Sequence, residues 1–151
     1  MTRNEARELV MQLLFQMEAH NDYSNEFQKK HLDDNFTKGG QRKYAEALST
    51  AIITNLDEID KKIDRSSHKW STKRMPKVDL AITRLAAAEI IYLDDIPDAV
   101  AINEAVDMIK KYSDESSKKF INGVLGQVAR IKDEVEAELV PEVDEPKKED
   151  E

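Results

Sequence analysis

Leu80-Ala81-Ile82-Thr83-Arg84-Leu85-Ala86-Ala87-Ala88-Glu89-Ile90-Ile91 is apolar around nearly the full circumference of a helix. A helix with a solvent face carries its apolar residues in one stripe, whereas one that is apolar all round is buried. The pattern predicts a helix opening at Pro76, whose fixed φ suits a first turn, and running to about Leu93 as the central element of the fold. Ala86-Ala87-Ala88 leaves room for close neighbours. Arg84 and Glu89 interrupt the pattern, and because buried charges must be paired, each is expected to meet a partner on a neighbouring helix.

Upstream, Thr2-Arg3-Asn4-Glu5 reads as a capping box, with Thr at the cap and Glu three residues on. A first helix follows to about Ala19, with Ala6, Leu9, Val10, Leu13, Leu14 and Met17 on one broad face. Met11 and Phe15, spaced i,i+4, fall on the other side beside Arg7. Two readings stand for that pair: a face for a partner, or a helix buried all round. A short helix is expected around Glu26–Leu32, closed by Gly39-Gly40. Tyr44 to Ile63 is periodic (Ala45, Leu48, Ile52, Leu56, Ile59, Ile63), with a break placed near Asn55-Leu56-Asp57. Ser66 to Pro76 is a connector carrying Trp70.

Downstream, Asp94-Asp95-Ile96-Pro97 is a turn. Asp98 to Lys111 forms an amphipathic helix with Ile102, Ala105, Val106, Ile109 and Tyr112 facing inward. The last helix starts at Ser116 or Ser117 and extends at most to Leu139, because Pro141 ends any helical pattern. Its apolar face, Ile121, Val124, Leu125, Val128 and Ile131, runs through Gly123 without a break. Glycine in a helix interior costs roughly 0.5–1 kcal/mol relative to alanine, so close backbone approach is the expected reason for it.

Composition agrees with an all-α fold. Four Gly and four Pro are too few for the turns of an all-β protein, and the chain is rich in Ala, Leu, Ile, Glu and Lys. With no cysteine, a disulfide scaffold, a thiolate metal site and a cysteine nucleophile are excluded. The segment Met1–Glu5 lacks the apolar core of a signal peptide, and no stretch approaches the roughly 18 apolar residues of a membrane span. A soluble, cytoplasmic protein is expected. The net charge of −8 is unevenly placed: Asp133 to Glu151 holds ten acids and two lysines, whereas Met1 to Lys132 holds 21 acids and 21 bases. The acidic balance therefore does not exclude a nucleic-acid partner. The division expected is one domain over residues 1–132 and an acidic tail over 133–151, dispensable for folding and disordered, although it could begin as an extension of the last helix. Its charge should slow association with a negative ligand.

No catalytic constellation is visible. His20, His31 and His68 are isolated, without paired metal-ligand spacing. Asp33-Asp34 and Asp94-Asp95 stand in turn contexts, and there is no Gly-rich phosphate loop or serine elbow. Neither a cofactor nor a metal is implied. Asn103 and Glu104 fall on the polar side of their helix. Lys118 and Lys119, in contrast, occupy the first turn of the last helix, where cations are unfavourable by roughly 0.3–1 kcal/mol each. A helix amino terminus flanked by lysines is arranged to hold phosphate, and Phe120 could stack on an unpaired base. The alternative is a core-edge Phe with two solvated lysines. Lys69, Lys73, Arg74 and Lys77 form a second basic cluster beside Trp70, with the same two readings.

The chain resembles the NusB family over approximately residues 3–131. The matching residues begin with Ala6-Arg7-Glu8, Gln12, Leu14 and Phe15, followed by Asp60, Ile63, Ser67, Trp70 and Arg74. They continue through Ala81-Ile82-Thr83-Arg84-Leu85-Ala86, Glu89, Ile96-Pro97 and Val100-Ala101-Ile102-Asn103-Glu104-Ala105-Val106 to Lys119-Phe120-Ile121-Asn122-Gly123-Val124-Leu125. The resemblance implies about seven helices in two packed bundles. It also implies a non-enzymatic transcription antitermination factor that binds single-stranded boxA RNA together with NusE, a small-subunit ribosomal protein, within the RNA polymerase antitermination complex that serves ribosomal RNA operons. By position, Arg3, Arg7, Lys119 and Phe120 look like RNA contacts, with Ser116, Ser117 and Lys118 at the rim. Phe15 and Asp79, with Met11 beside Phe15, look like the NusE-facing surface. Two departures bear on this. Only Arg3 and Arg7 remain of an arginine-rich amino terminus, so RNA affinity without NusE is expected to be weak, and Thr83 replaces an apolar residue. A related helical domain precedes the catalytic domain of ribosomal RNA cytosine methyltransferases, and a chain of this length without cysteine is expected to lack that activity. The remaining alternative is a helical protein–protein module that does not touch RNA.

Overall fold

The computed structural model describes residues 1–135. Within the described residues seven helices follow one another: α1 (Arg3–His20), α2 (Asn25–Asn35), α3 (Gly40–Thr54), α4 (Leu56–Ser66), α5 (Lys77–Tyr92), α6 (Asp98–Tyr112) and α7 (Ser117–Ile131). The fold is all-α.

Local signals set most of the boundaries. At α1 both halves of the capping box are made: Glu5 N–H donates to Thr2 Oγ1 at 3.1 Å, and Thr2 N–H donates to Glu5 Oε1 at 2.7 Å. Asn21 closes the helix in the left-handed region, at φ 51°. Ser24 caps α2 through the Phe27 amide. The expected break in the long periodic segment falls at Asn55, where α3 gives way to α4. Gly39, at φ 136°, makes the turn into α3 with a backbone conformation that side chains disfavour.

Helix α5 is the centre: every residue from Asp79 to Ile90 is buried. It packs against α1, α3, α4, α6 and α7, so that α1–α3 form one bundle, α4, α6 and α7 the other, and α5 belongs to both. Ala86, Ala87 and Ala88 are fully buried where those neighbours approach. Thr83, also fully buried, satisfies its hydroxyl by donating to the Asp79 carbonyl.

One open question of facing is decided and two expectations are corrected. Met11 is 4 % exposed and lies in the core, and Phe15 is half-buried against it, so α1 is enclosed on both sides and offers no exposed apolar pair. On α6 the inward face is Ala101, Ala105, Met108 and Ile109, with Ile102 and Val106 half-buried. Tyr112 is exposed, because at the last residue of α6 its hydroxyl reaches Glu8 of α1 at 2.7 Å. Helix α7 stops at Ile131, and Lys132 and Asp133 form a turn. The last helix therefore does not continue through residues 132–135, and the expectations for the tail beyond them fall on residues 136–151, outside the described residues.

His31 joins α2 to α1. Its buried ring donates from Nε2 to the Leu9 carbonyl at 2.9 Å, and Nδ1 faces the Asn35 amide. Burial holds its pKa below the usual histidine value, the Leu9 bond and Asp34 acting in the other direction. A histidine depressed in the folded state binds its proton more readily when unfolded, so its contribution is present above about pH 6.5 and lost as pH falls below that value. Urea unfolding between pH 7 and 5 should show a steeper acid loss for the wild type than for His31→Gln, whose amide can still donate to Leu9. Parallel profiles would remove His31 from the pH dependence. At the centre of the fold, Leu85→Ala should cost about 2–5 kcal/mol as a cavity in a fully packed site; a neutral thermal unfolding result would mean that α5 is not the core.

Candidate nucleic-acid interface

The apolar face of α7 is buried through Ile121, Val124, Leu125, Val128 and Ile131, which turns Lys119, Gly123 and Arg130 to the surface, with Phe120 and Gln127 half-exposed between. Opposite them runs the connector after α4. That connector is pinned by side chains. Ser67 donates to the Trp70 carbonyl and accepts from the Trp70 amide, and Asp64 accepts from the Thr72 amide at 2.7 Å. Between the two walls is an open cavity of about 510 Å³. One wall is Ser66, His68 and Lys69; the other is Ser116, Lys119, Phe120, Gly123, Val124, Gln127 and Arg130.

Phe120 is braced from behind. Its ring meets Trp70 edge-on, with centroids 5.4 Å apart and planes at 70°, a geometry worth roughly 0.5–1.5 kcal/mol beyond area burial. Lys69 Nζ stands 5.4 Å from the Trp70 ring. The two basic clusters singled out in the sequence are thereby partly one: Lys69 and Lys119 share the cavity, while Lys73, Arg74 and Lys77 are not among its walls.

Of the remaining residues expected at an RNA surface, Ser116 lines the cavity. Ser117 is buried, its amide bonded to the Asp114 carbonyl at 2.8 Å. Lys118 turns to Glu115, 3.2 Å away. Arg7 is only 4 % exposed, its Nε on Glu89 Oε2 at 2.9 Å and its Nη1 on Asn4 at 3.0 Å. This corrects the expectation that Arg7 is presented to a ligand: it is the counter-charge of a buried carboxylate. Arg3 sits above the Tyr44 ring, 4.1 Å from its centroid, and bonds Gln41. Neither arginine lines the cavity. Asp79 is fully buried and accepts from Ser113, so it is not a surface residue either.

Gly123 needs a different explanation from the one its sequence suggested. A Cβ placed there meets nothing within 4 Å, so no neighbouring backbone packs against it. His68 reads in the sequence only as an isolated histidine, and Gln127 and Arg130 carry no assignment there, yet all three line the cavity. The signal for the latter two was present, since positions 120, 123, 127 and 130 follow helical spacing along one flank of the apolar face.

Among the described residues, no cluster of His, Asp or Glu is placed to hold a metal ion, and no helix is long and apolar enough to cross a membrane. What the groove can do is bind. Lysines that track a backbone, beside an aromatic face on which bases stack, are the combination by which proteins hold nucleic acid with unpaired bases. The chain belongs to the NusB family, which it matches over residues 4–130. It is 45 % identical to the transcription antitermination protein NusB of Agathobacter rectalis over 131 residues, covering 85 % of this chain and all of that one. It is 42 % identical to that of Acetivibrio thermocellus, over 87 % of this chain and 91 % of the other. Among solved structures, T. maritima NusB superposes with a TM-score of 0.78 at 35 % identity, over 86 % of this chain and 92 % of that one. A chain in a complex of antitermination factors NusB and NusE with dsRNA superposes at 0.74 and 28 % identity, over 86 % and 98 % of the two chains.

Arg7→Ala would leave Glu89 buried without its bonded cation and should cost about 3–5 kcal/mol in urea unfolding. A change within about 0.5 kcal/mol, the range of ordinary surface substitutions, would return Arg7 to the surface residues.

Proposed function

We propose that this protein is a transcription antitermination factor that binds single-stranded boxA-type RNA through the cavity between α7 and the α4–α5 connector, together with NusE, as part of the RNA polymerase antitermination complex. The observation that carries the reading is the convergence of Lys119, Phe120, Lys69 and Arg130 on one open cavity, with Trp70 bracing Phe120. Relatives named as transcription antitermination proteins, and a structural neighbour solved with NusE and dsRNA, support it. In this reading the protein acts by binding, without catalysis, in the cytoplasm. Phe120 stacks on a base, Lys119 and Lys69 neutralise phosphates, and Ser116 and Lys118 stand at the rim. Arg3 contributes from the start of α1, while Arg7 and Ser117 act by holding α1 and α7 in place. For NusE the accessible residue of the expected surface is Phe15, half-buried on α1; Met11 supports it from within and Asp79 fixes the start of α5.

The test is a titration of fluorescently labelled boxA-like, scrambled and duplex RNA, with and without NusE. Phe120→Ala should weaken the single-stranded boxA-like RNA by roughly 1–3 kcal/mol, the value of a base–aromatic stack. Lys119→Ala should lower the salt slope by about 0.7, the increment that one neutralised phosphate contributes on a single strand. Lys119→Ala should unfold at a temperature near that of the wild type, and Phe120→Ala a few degrees lower through loss of the Trp70 contact, both remaining folded at the temperature of the titration. Unchanged RNA affinity in a folded double variant would leave the protein-binding module as the function, and preference for the duplex would move recognition away from base stacking.

A further inference from the structure

We infer that the cavity holds a second nucleotide, its base edge-on to the bare backbone of α7 at Gly123 and stacked next to the one that lies on Phe120. The inference rests on the RNA-binding reading above. Gly123 lies inside a helix of 15 residues, where alanine would be more stable. The two structural reasons for keeping glycine are both absent. Among the described residues the only glycine with positive φ is Gly39, and a Cβ at Gly123 would touch nothing. Gly123 also lies on the cavity wall, where the third use of glycine, the close approach of a ligand to the backbone, is open to it.

The surroundings fit a base. Phe120 lies one turn before Gly123 and Gln127 one turn after it, both on the cavity wall. Seven residues of helix advance about 10 Å. That leaves room between the two side chains for a pair of rings stacked at about 3.4 Å, the spacing of successive nucleotides along a strand. Gln127 is held in orientation by Arg130, whose Nε donates to its Oε1 at 2.8 Å, so its amide stands as a fixed donor at the far end of the groove. Lys69 and His68 close the opposite side, and the guanidinium of Arg130 adds positive charge where the strand would leave. A volume of about 510 Å³ exceeds what one ring on Phe120 would fill.

The helix supplies its own control. Gly126 is also helical and would also accept a Cβ without contact, but it is not part of the cavity wall. In the full chain, Gly123→Ala and Gly126→Ala should each raise the melting temperature by about 2–4 °C, as expected for removing a helical glycine. Only Gly123→Ala should weaken a fluorescein-labelled boxA-like single-stranded RNA, by about tenfold, the order of one base stack. An RNA with one abasic nucleotide next to the base that stacks on Phe120 should bind the wild type about as weakly and be no weaker on Gly123→Ala. If Phe120→Ala lowers affinity while Gly123→Ala binds as the wild type, the second seat is wrong and the functional reading stands. If neither substitution changes RNA binding, or the wild type binds none, both fall.

Discussion

Arg84 and Glu89 are carried by α5, which buries twelve consecutive residues, and removing a charge from water costs several kcal/mol unless a partner and further hydrogen bonds replace the solvent. Arg84 donates from Nε and Nη2 to Asp60 of α4, at 2.8 and 2.7 Å, and from Nη1 to Glu18 of α1 and to the Tyr23 hydroxyl. Glu89 accepts from Arg7 of α1 and from the Tyr44 hydroxyl of α3. Burial pushes the carboxyls of both Glu89 and Asp60 above the ordinary range, while the facing arginines and Tyr44 act in the opposite direction. Replacing such pairs by apolar residues is often neutral or stabilising, so their use here is best understood as register. Residue 7 is tied to 89 and residue 18 to 84, which fixes α1 antiparallel to α5 at both ends. The same two residues bring in α3 and α4. A greasy helix could slide against its neighbours; one carrying two buried charges cannot do so without stranding them.

That fixed frame is what makes a groove out of two segments distant in sequence. Helix α4 is held to α5 by Asp60, and its end delivers Ser66, His68 and Lys69 to the surface of α7. Asp64 and Ser67 then hold the connector so that Trp70 turns inward against Phe120 instead of lying loose. The electrostatics of the groove follow from local pairing and not from the net charge of −8. Glu115 takes Lys118 and Asp98 takes Lys132, both outside the cavity wall, whereas Lys119, Lys69 and Arg130 remain on it. At the other end Arg65 pairs with Glu134 at 2.5 Å, and Lys62 donates to the Glu134 carbonyl, which ties the residues after α7 back to α4.

The sequence carries the helices well because their signals are local: a cap, a period, a proline at a first turn, an Asn that breaks a long stripe. It also carries the pairing of Arg84 and Glu89, since burial of a charge in an apolar helix admits few outcomes. What it does not carry is which helix answers. Arg7 reads as a basic residue near an amino terminus until Glu89, 82 positions on, is seen to claim it. Met11 admits both a partner face and a buried one, because α1 alone cannot show that neighbours cover both of its faces. Tyr112 keeps the period of α6 yet runs past the end of its packing and meets Glu8 instead. His68 joins the site only through the path of the connector, and no pattern within the chain announces that.

Helix α7 is where local preference and overall fold disagree most. It opens without a side-chain cap, places two lysines in the turn where the helix dipole disfavours them, and contains two glycines with no packing role. Helix α1, by contrast, opens with both halves of its capping box made. Nothing in the core requires these concessions, because the apolar face of α7 would bury equally well with alanines and an acidic first turn. The features that weaken it as an isolated helix all lie at its start or on the face away from the core, and three of them, Ser116, Lys119 and Gly123, line the cavity. Sequences are consistent across levels except where function draws on the stability the rest provides. The buried face through Ile121, Val124, Leu125, Val128 and Ile131 holds the helix in place. Its outer face is thereby free to be shaped for a ligand instead of for the helix.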